Sequence, residues 1–552
     1  MASFPAYGGA RPTEPAPKRA ARDATAVSIW TPMRHRLFFA IWIAGLASNV
    51  GTWMQNVGAA WLMTSLSPSP LMVSMIQTAT SLPIFMLALP AGALADVVDR
   101  RRLLILSQGW MLVAAALLGV LTMRGAVTTS AVLVLSFALG MGAALGAPAW
   151  QAIMPEIVAR EELTAAIALN GINFNLARAV GPAIGGLIVA LMGAGATFIL
   201  NAVSFLGVLA VLYAWKREHA PGILPAERVM GAIRTGLRYV RHAPPLRAVL
   251  VRTGAVMAGG AAMWAVLPLI ARHQLGLSAT GYGGLLAAFG AGAVGGGAAL
   301  PWINRRLSRD AVVSASAMVF AGMSLGLAWL HNLPAVYLVM AAGGAGWIAA
   351  MSELNVAAQL AVPQWVQGRA LACYQMIIQG GLALMAIVWG GLAEHIGVPW
   401  TMTTAAAALI LSTATALRWP IGEAQTLVLD PAPLLPMPIV DARVGPDSGP
   451  VMITIEYRID PARVMEFRHV MSAIRILRRR DGANFWGLFF DAADPECYRE
   501  YFVVDSWIEH LRQHGRATLA DQELLDHARE FHRGEGAPTV THQIAASGLR
   551  DP

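Results

Sequence analysis

Leu37 to Ala95 runs for 59 residues without Asp, Glu, Lys, Arg or His. A bilayer core about 30 Å thick takes about 20 apolar residues as one helix, so this stretch predicts two spans, broken at SLSPSP, 65–70. Further apolar windows lie at 103–123, 129–150, 171–192 and 196–215, and, after a polar stretch at 216–247, near 250–271, 281–303, 311–330, 334–356, 371–393 and 398–417. The pattern predicts twelve membrane helices in two sets of six. Beyond residue 450 the period changes. VMITIEYRI at 451–459 alternates as a strand. Residues 461–480 place Val464, Phe467, Val470 and Ile474 on one helical face. NFWGLFFDA at 484–492 and REYFVVDSW at 499–507 read as strands, 508–532 as a helix or helix pair, and 539–545 as a last strand. The order βαββαβ predicts a ferredoxin-like fold.

The expected fold class is therefore an all-α polytopic membrane protein, two six-helix halves, with a carboxy-terminal α+β ferredoxin-like domain. The expected divisions are a tail at 1–34, bundles at 35–215 and 248–419 around a central loop at 216–247, a Pro-rich linker at 420–449, the soluble domain at 450–546 and a tail at 547–552.

Composition narrows the class. Of 552 residues, 56% are hydrophobic and 13% charged. Soluble domains carry about 25% charged residues, so disorder, a coiled coil and an ordinary soluble enzyme are excluded for the whole chain. Two distant cysteines, Cys373 and Cys497, exclude a disulfide framework. The net charge of +8 divides unevenly: residues 451–552 hold 13 Arg against 16 acids, net −3, which leaves +11 on the apolar body. Arg34, Arg36, Arg100–Arg102, Arg160, Lys216 to Arg247, Arg305, Arg306, Arg309, Arg369 and Arg418 fall on one side of the predicted spans, against Arg124 and Arg272 on the other. The positive-inside rule puts both termini and the central loop in the cytoplasm. The excess reports topology, so the bilayer is the expected partner and nucleic acid is not. In the central loop, Arg228, Ile233, Arg234, Leu237, Arg238, Tyr239, Val240 and Arg241 predict an amphipathic helix on anionic lipid.

Polar residues inside spans are costly and mark pathways or interhelical bonds. The candidates are Asn49, Gln55 and Asn56 in span one, Gln77 in span two, Asn175 and Arg178 in span five, Glu353 and Gln359 in span ten, and Gln375 and Gln379 in span eleven. Glu353 is the candidate proton-coupling or gating carboxylate; the alternative is a carboxylate at the mouth paired with Arg369. A second group concerns conformational change. The loop after span two reads Gly92-Ala-Leu-Ala-Asp96-Val-Val-Asp99-Arg100-Arg101-Arg102. Gly92 would permit close helix approach, Asp96 would pair at a helix end, and Arg100 and Arg101 could meet carboxylates. In span five, small residues at 177, 181 and 185 share one face, and Pro182 bends the helix within Gly181-Pro182-Ala-Ile-Gly185-Gly186. In the soluble domain His510 and His514 stand at i, i+4 without a third ligand, so packing is favoured and neither metal nor cofactor is expected. Trp486 and Trp507 read as core.

These motifs carry a resemblance. The loop after span two resembles the major facilitator signature G-x-L-x-D-R-x-G-R-R, departing at Val97 and Asp99, and the span-five run resembles a motif of its antiporter and exporter branches. The stretches at 82–96, 154–186, 236–250, 362–375 and 505–518 together resemble bacterial transmembrane secretion effectors, a branch that includes an enterobactin exporter. The resemblance implies alternating access and proton-coupled export of a small amphipathic molecule, such as a siderophore or drug, across a bacterial inner membrane. It leaves the cargo open. An importer of the same fold is the alternative. The tail is similar to dimeric α/β-barrel domains of antibiotic-biosynthesis monooxygenases. That likeness is at fold level and does not transfer activity; the tail is read as pairing two copies or sensing ligand, and a permease fused to an active enzyme is the remaining reading.

Overall fold

The computed structural model describes residues 28–215, 238–422, 444–445 and 447–546. Among these residues, twelve helices are long and apolar enough to cross a membrane. The first six are α1 (Arg36–Leu66), α2 (Pro70–Val97), α3 (Arg100–Met123), α4 (Thr129–Ile157), α5 (Leu163–Met192) and α6 (Ala194–Ala214). The second six are α7 (Pro244–Leu269), α8 (Ala279–Ile303), α9 (Arg309–Trp329), α10 (Leu333–Leu360), α11 (Gln367–Ile396) and α12 (Val398–Thr413). A π-turn at Ile270–Gln274 extends α7, and a turn at Thr415–Arg418 follows α12. Several helices outrun their apolar windows: α5 begins at Leu163 and α4 continues to Ile157. Backbone hydrogen bonding carries a helix past the point where its side chains stop being apolar, so the windows mark hydrocarbon rather than helix ends.

Local sequence sets the breaks. Ser69, Thr128, Ser308 and Asn332 cap α2, α4, α9 and α10, each side-chain oxygen accepting a backbone N–H. Single glycines join α5 to α6 and α11 to α12. Gly193 (φ 82°) and Gly397 (φ 80°) occupy the left-handed region that a side chain disfavours, at matching places in the two halves.

The halves meet along two seams, α2 against α11 and α5 against α8. Small residues make the second seam close. A Cβ added at Gly186 would lie 2.6 Å from the Ala279 carbonyl oxygen and 2.9 Å from Gly283 Cα. Gly181 and Gly185 instead press α5 onto α1, where an added Cβ would meet Trp53 Cβ at 2.6 Å and Met54 Cα at 2.8 Å.

An even number of spans returns His35, Trp215, Tyr239 and Arg418 to one face, here called the domain face. The expected amphipathic helix at 228–241 lies mostly outside the described residues; 238–242 is helical and buries Tyr239.

The tail contains β1 (Val451–Arg458), α13 (Val464–Arg480), β2 (Phe485–Phe490), β3 (Cys497–Val504), α14 (Trp507–Arg516), α15 (Leu519–Arg529) and β4 (Thr539–Ile544). The sheet order is β2-β3-β1-β4, with every neighbouring pair antiparallel. This is the order a βαββαβ ferredoxin-like chain produces. Phe467, Met471 and Ile474 of α13 bury against Tyr457 and Phe531. Two arginines join the tail to the helical body. Arg516 lies over Trp365, in the α10–α11 connection, 4.7 Å from the ring centre, and Arg480 lies 5.7 Å from the Tyr239 ring.

Candidate functional site

A cavity of about 810 Å³ lies between the halves. Its wall takes residues from α1, α2 and α5 on one side and from α7, α8, α10 and α11 on the other. The end toward the domain face is open: Phe174, Asn175, Val356 and Gln375 are exposed. At the other end Val57, Ala60, Val73 and Tyr282 are buried. A plug closes that end. Trp61 stacks on Tyr282 with ring centres 6.0 Å apart, and Arg272 covers Trp61 and donates to Thr64 Oγ1 at 3.0 Å. Beside it, Ser69 Oγ donates to Glu394 Oε2 at 3.1 Å.

The structure brings six of the polar candidates together on this wall: Asn56, Gln77, Asn175, Arg178, Gln375 and Gln379. Arg178 is the one charged residue among the described wall residues. It stands midway along α5, where its Nη2 donates to Asn175 Oδ1 at 2.6 Å and its guanidinium lies 5.9 Å from the Phe174 ring centre. Asn175 Nδ2 is held in turn by the Gly171 carbonyl at 2.9 Å. Gln77 Nε2 donates to Ser81 Oγ at 2.8 Å.

Four candidates are elsewhere. Asn49 faces a smaller pocket of about 420 Å³ inside the first half and donates to Asn173 Oδ1 at 2.9 Å; Asn173 Nδ2 donates onward to the Trp42 carbonyl. Gln55 is buried and accepts from Asn201 Nδ2 at 2.7 Å, locking α1 to α6. Gln359 is exposed past the wall and donates to Asn355 Oδ1 at 2.6 Å. Glu353 turns away from the cavity into the second half, where Asn304 Nδ2 and Arg309 Nη1 each donate to its carboxylate at 2.7 Å. Its partner is thus Arg309 rather than the expected Arg369, because α9 begins directly beside the end of α10.

The loop residues behave likewise. Among the described residues a Cβ at Gly92 would meet nothing within 4 Å, so these show no close helix approach at this glycine. The Asp96 side chain lies outside the described residues. Arg100 Nη1 donates to Glu156 Oε1 at 2.7 Å, and Arg101 donates to the Leu212 and Tyr213 carbonyls at 2.7 and 2.9 Å, closing the carboxyl end of α6.

Sequence reasoning missed much of the aromatic wall. Trp53, Phe174, Trp264, Tyr282, Trp347 and Tyr374 line it, and Trp264 and Trp347 continue outward into a cluster with Phe289 and Phe320, edge-to-face except for the tilted Phe320–Trp347 pair. The available signal was tryptophan in mid-span. Interfacial belts put Trp at span ends, while Trp264 and Trp347 lie well inside theirs.

In the tail, His510 packs between His514 and His542, ring centres 4.8 Å from each. Burial, with those neighbours, drives His510 down to about 3. Among the described residues no group of three or more His, Cys, Asp or Glu is arranged to hold a metal ion. Trp507 is buried, and Trp486 packs partly buried against the same core.

A family model described as transmembrane secretion effector matches residues 27–548, tail included. The chain is 27% identical over 387 residues to the multidrug efflux pump Tap of Mycolicibacterium fortuitum, covering 67% of this chain and 92% of that one. It is 24% identical to the staphyloferrin A transporter of Staphylococcus aureus (61% and 86% covered). It is 26% identical to the enterobactin exporter EntS of Escherichia coli (65% and 85% covered). Among solved structures, a bacterial homologue of the lysosomal transporter Spinster, in an inward-facing and occupied conformation, superposes with a TM-score of 0.57 at 13% identity, covering 71% of this chain and 97% of that one. The nucleoside transporter NupG does so at 0.59 and 11%, covering 70% and 100%.

Proposed function

The chain belongs to the transmembrane secretion effector family of major facilitator permeases, and from that premise we propose that it exports a small amphipathic molecule, a siderophore or drug, by alternating access coupled to the proton gradient. The observation that carries the reading is the cavity between the halves, open at one face and plugged at the other by Trp61, Tyr282 and Arg272. A wall that mixes carboxamides with aromatic rings suits an amphipathic cargo. The names of the similar efflux pump and enterobactin exporter support the outward direction. In this reading the membrane is the bacterial inner membrane and the domain face, with both termini, is cytoplasmic. We read Glu353 as a structural clasp rather than the proton-coupling carboxylate; the hydrogen bonds from Arg309 and Asn304 to its carboxylate support this.

The test uses the full chain in sealed inverted and right-side-out vesicles with an imposed pH gradient. Energised accumulation in inverted vesicles is expected; accumulation in right-side-out vesicles would instead establish the importer. The tail is proposed to pair two copies through the sheet face away from its helices, where Phe485 and Phe489 remain exposed. A single-copy mass for the detergent-solubilised protein would count against that pairing.

A further inference from the structure

We propose that the cargo is an organic anion: one carboxylate- or phenolate-type oxyanion carried on a flat aromatic body. This rests on the transport reading above and deepens it, and three observations carry it.

The first is the charge balance of the wall. Arg178 is its one cation, and the described wall residues contain no Asp, Glu, Lys or His. The nearby acids are already paired elsewhere: Glu353 holds Arg309, and Glu394, at the plugged end, accepts from Ser69. A guanidinium in a low-dielectric cavity is costly without a counter-charge. Its fixed fork of five N–H donors matches an oxyanion in two-point contact, and the hydrogen bond to Asn175 uses one donor.

The second is how firmly that charge is held. Gly171 carbonyl fixes Asn175, Asn175 fixes the guanidinium, and the Phe174 ring sits beside it. A charge fixed before binding loses little side-chain freedom when an anion arrives.

The third is the remainder of the wall. Trp53, Trp264, Tyr282, Trp347 and Tyr374 present ring surfaces, while Gln375 and Gln379 offer neutral hydrogen-bonding groups. Aromatic faces alone would also attract cations. A cationic aromatic cargo must approach Arg178 with no wall carboxylate to offset the repulsion, whereas an anion gains at both places. The volume of about 810 Å³ fits a drug-sized body.

Two dyes with one xanthene skeleton separate the alternatives. Fluorescein is an anion, and the rhodamine methyl ester is a cation of nearly the same shape. Binding to the purified full chain in nanodiscs is read by fluorescence anisotropy. We expect fluorescein to bind at least about tenfold tighter, the scale of one charge-assisted hydrogen bond. Arg178→Gln should erase the preference, and Arg178→Lys should keep part of it. Equal or tighter binding of the rhodamine by the unaltered chain would overturn the proposal without needing any variant to fold. So would a preference unchanged in a folded Arg178→Gln protein. Dye binding without energised accumulation in inverted vesicles would remove the exporter reading and leave the anion site standing. Accumulation of rhodamine but not fluorescein would do the reverse.

Discussion

In the first half, Arg100 at the start of α3 reaches Glu156 near the end of α4; in the second, Arg309 at the start of α9 reaches Glu353 near the end of α10, each at 2.7 Å. The helices correspond, three and four against nine and ten, but the acids sit at different depths: Glu156 is one residue from the end of α4 and Glu353 seven from the end of α10. The next residues diverge. Arg101 closes the carbonyl end of α6, whereas Asp310 accepts the backbone N–H groups of Ile421 and Gly422 after α12 and also pairs with the buried Arg252. The halves also differ in exposure: the Arg100–Glu156 side chains are 31% and 24% exposed, those of Arg309–Glu353 19% and 2%. The tail stands on the second half, through Tyr239 before α7 and Trp365 before α11. The comparison teaches that an acid within a span is not thereby part of a pathway. Glu353 is the buried copy of a clasp that its sister half wears in the open.

Breaking the two clasps gives the largest contrast. Glu353→Gln leaves Arg309 beside a neutral amide and should cost about 3–5 kcal/mol, the usual penalty for opening a buried pair. Glu156→Gln should cost about 0–1 kcal/mol. Thermal unfolding of the purified chain in detergent measures both. Equal losses would mean that burial is not what separates the halves. A Glu353→Gln protein of full stability that lost only pH-driven transport would return this residue to proton coupling.

The seam between the halves comes next. Gly186→Val puts atoms where the Ala279 carbonyl and Gly283 already lie, and overpacking of this kind costs about 1–3 kcal/mol. Gly92→Ala, which meets open space, should change stability by less than about 0.5 kcal/mol. The same melting measurement separates them; a Gly92 variant as damaging as the Gly186 one would show that the loop after α2 is packed in another conformation.

The smallest effect concerns the tail. Trp365→Ala removes the ring beneath Arg516 and should loosen the tail by about 0.5–1 kcal/mol. A double-mutant cycle with Arg516→Ala reads the coupling directly. A coupling near zero would mean the tail is held by other contacts.

Much of this was legible in the chain. Apolar windows located all twelve helices, and the period change at residue 451 located the sheet, because hydrocarbon and water sort side chains before any contact forms. Helix rotation was not legible. Gln55 and Asn56 are adjacent, about 100° apart around α1, so one neighbour can face the cavity while the other faces Asn201; nothing in an all-apolar span says which. The same ambiguity turns Asn49 and Glu353 off the cavity wall. Asn175 and Arg178, three apart on one face, both line it. The aromatic wall was hidden for a different reason: a ring on a cavity and a ring in a core are written with the same letters.

Arg178 sits halfway along α5, a helix of 30 residues, and this gives the proposed transport cycle an electrical side. In the proposed transport cycle, a carrier without cargo holds one positive charge partway into the membrane field, and a carrier loaded with a monoanion holds none. A potential therefore acts on the return of the empty protein and not on the passage of the loaded one. A charge crossing the whole field responds by about 2.3 kcal/mol per 100 mV, and the fraction crossed sets the actual response. With the domain face on the negative side, voltage draws the emptied cavity back toward that face. Turnover should then rise with potential clamped by potassium and valinomycin, while a single release event remains indifferent to it.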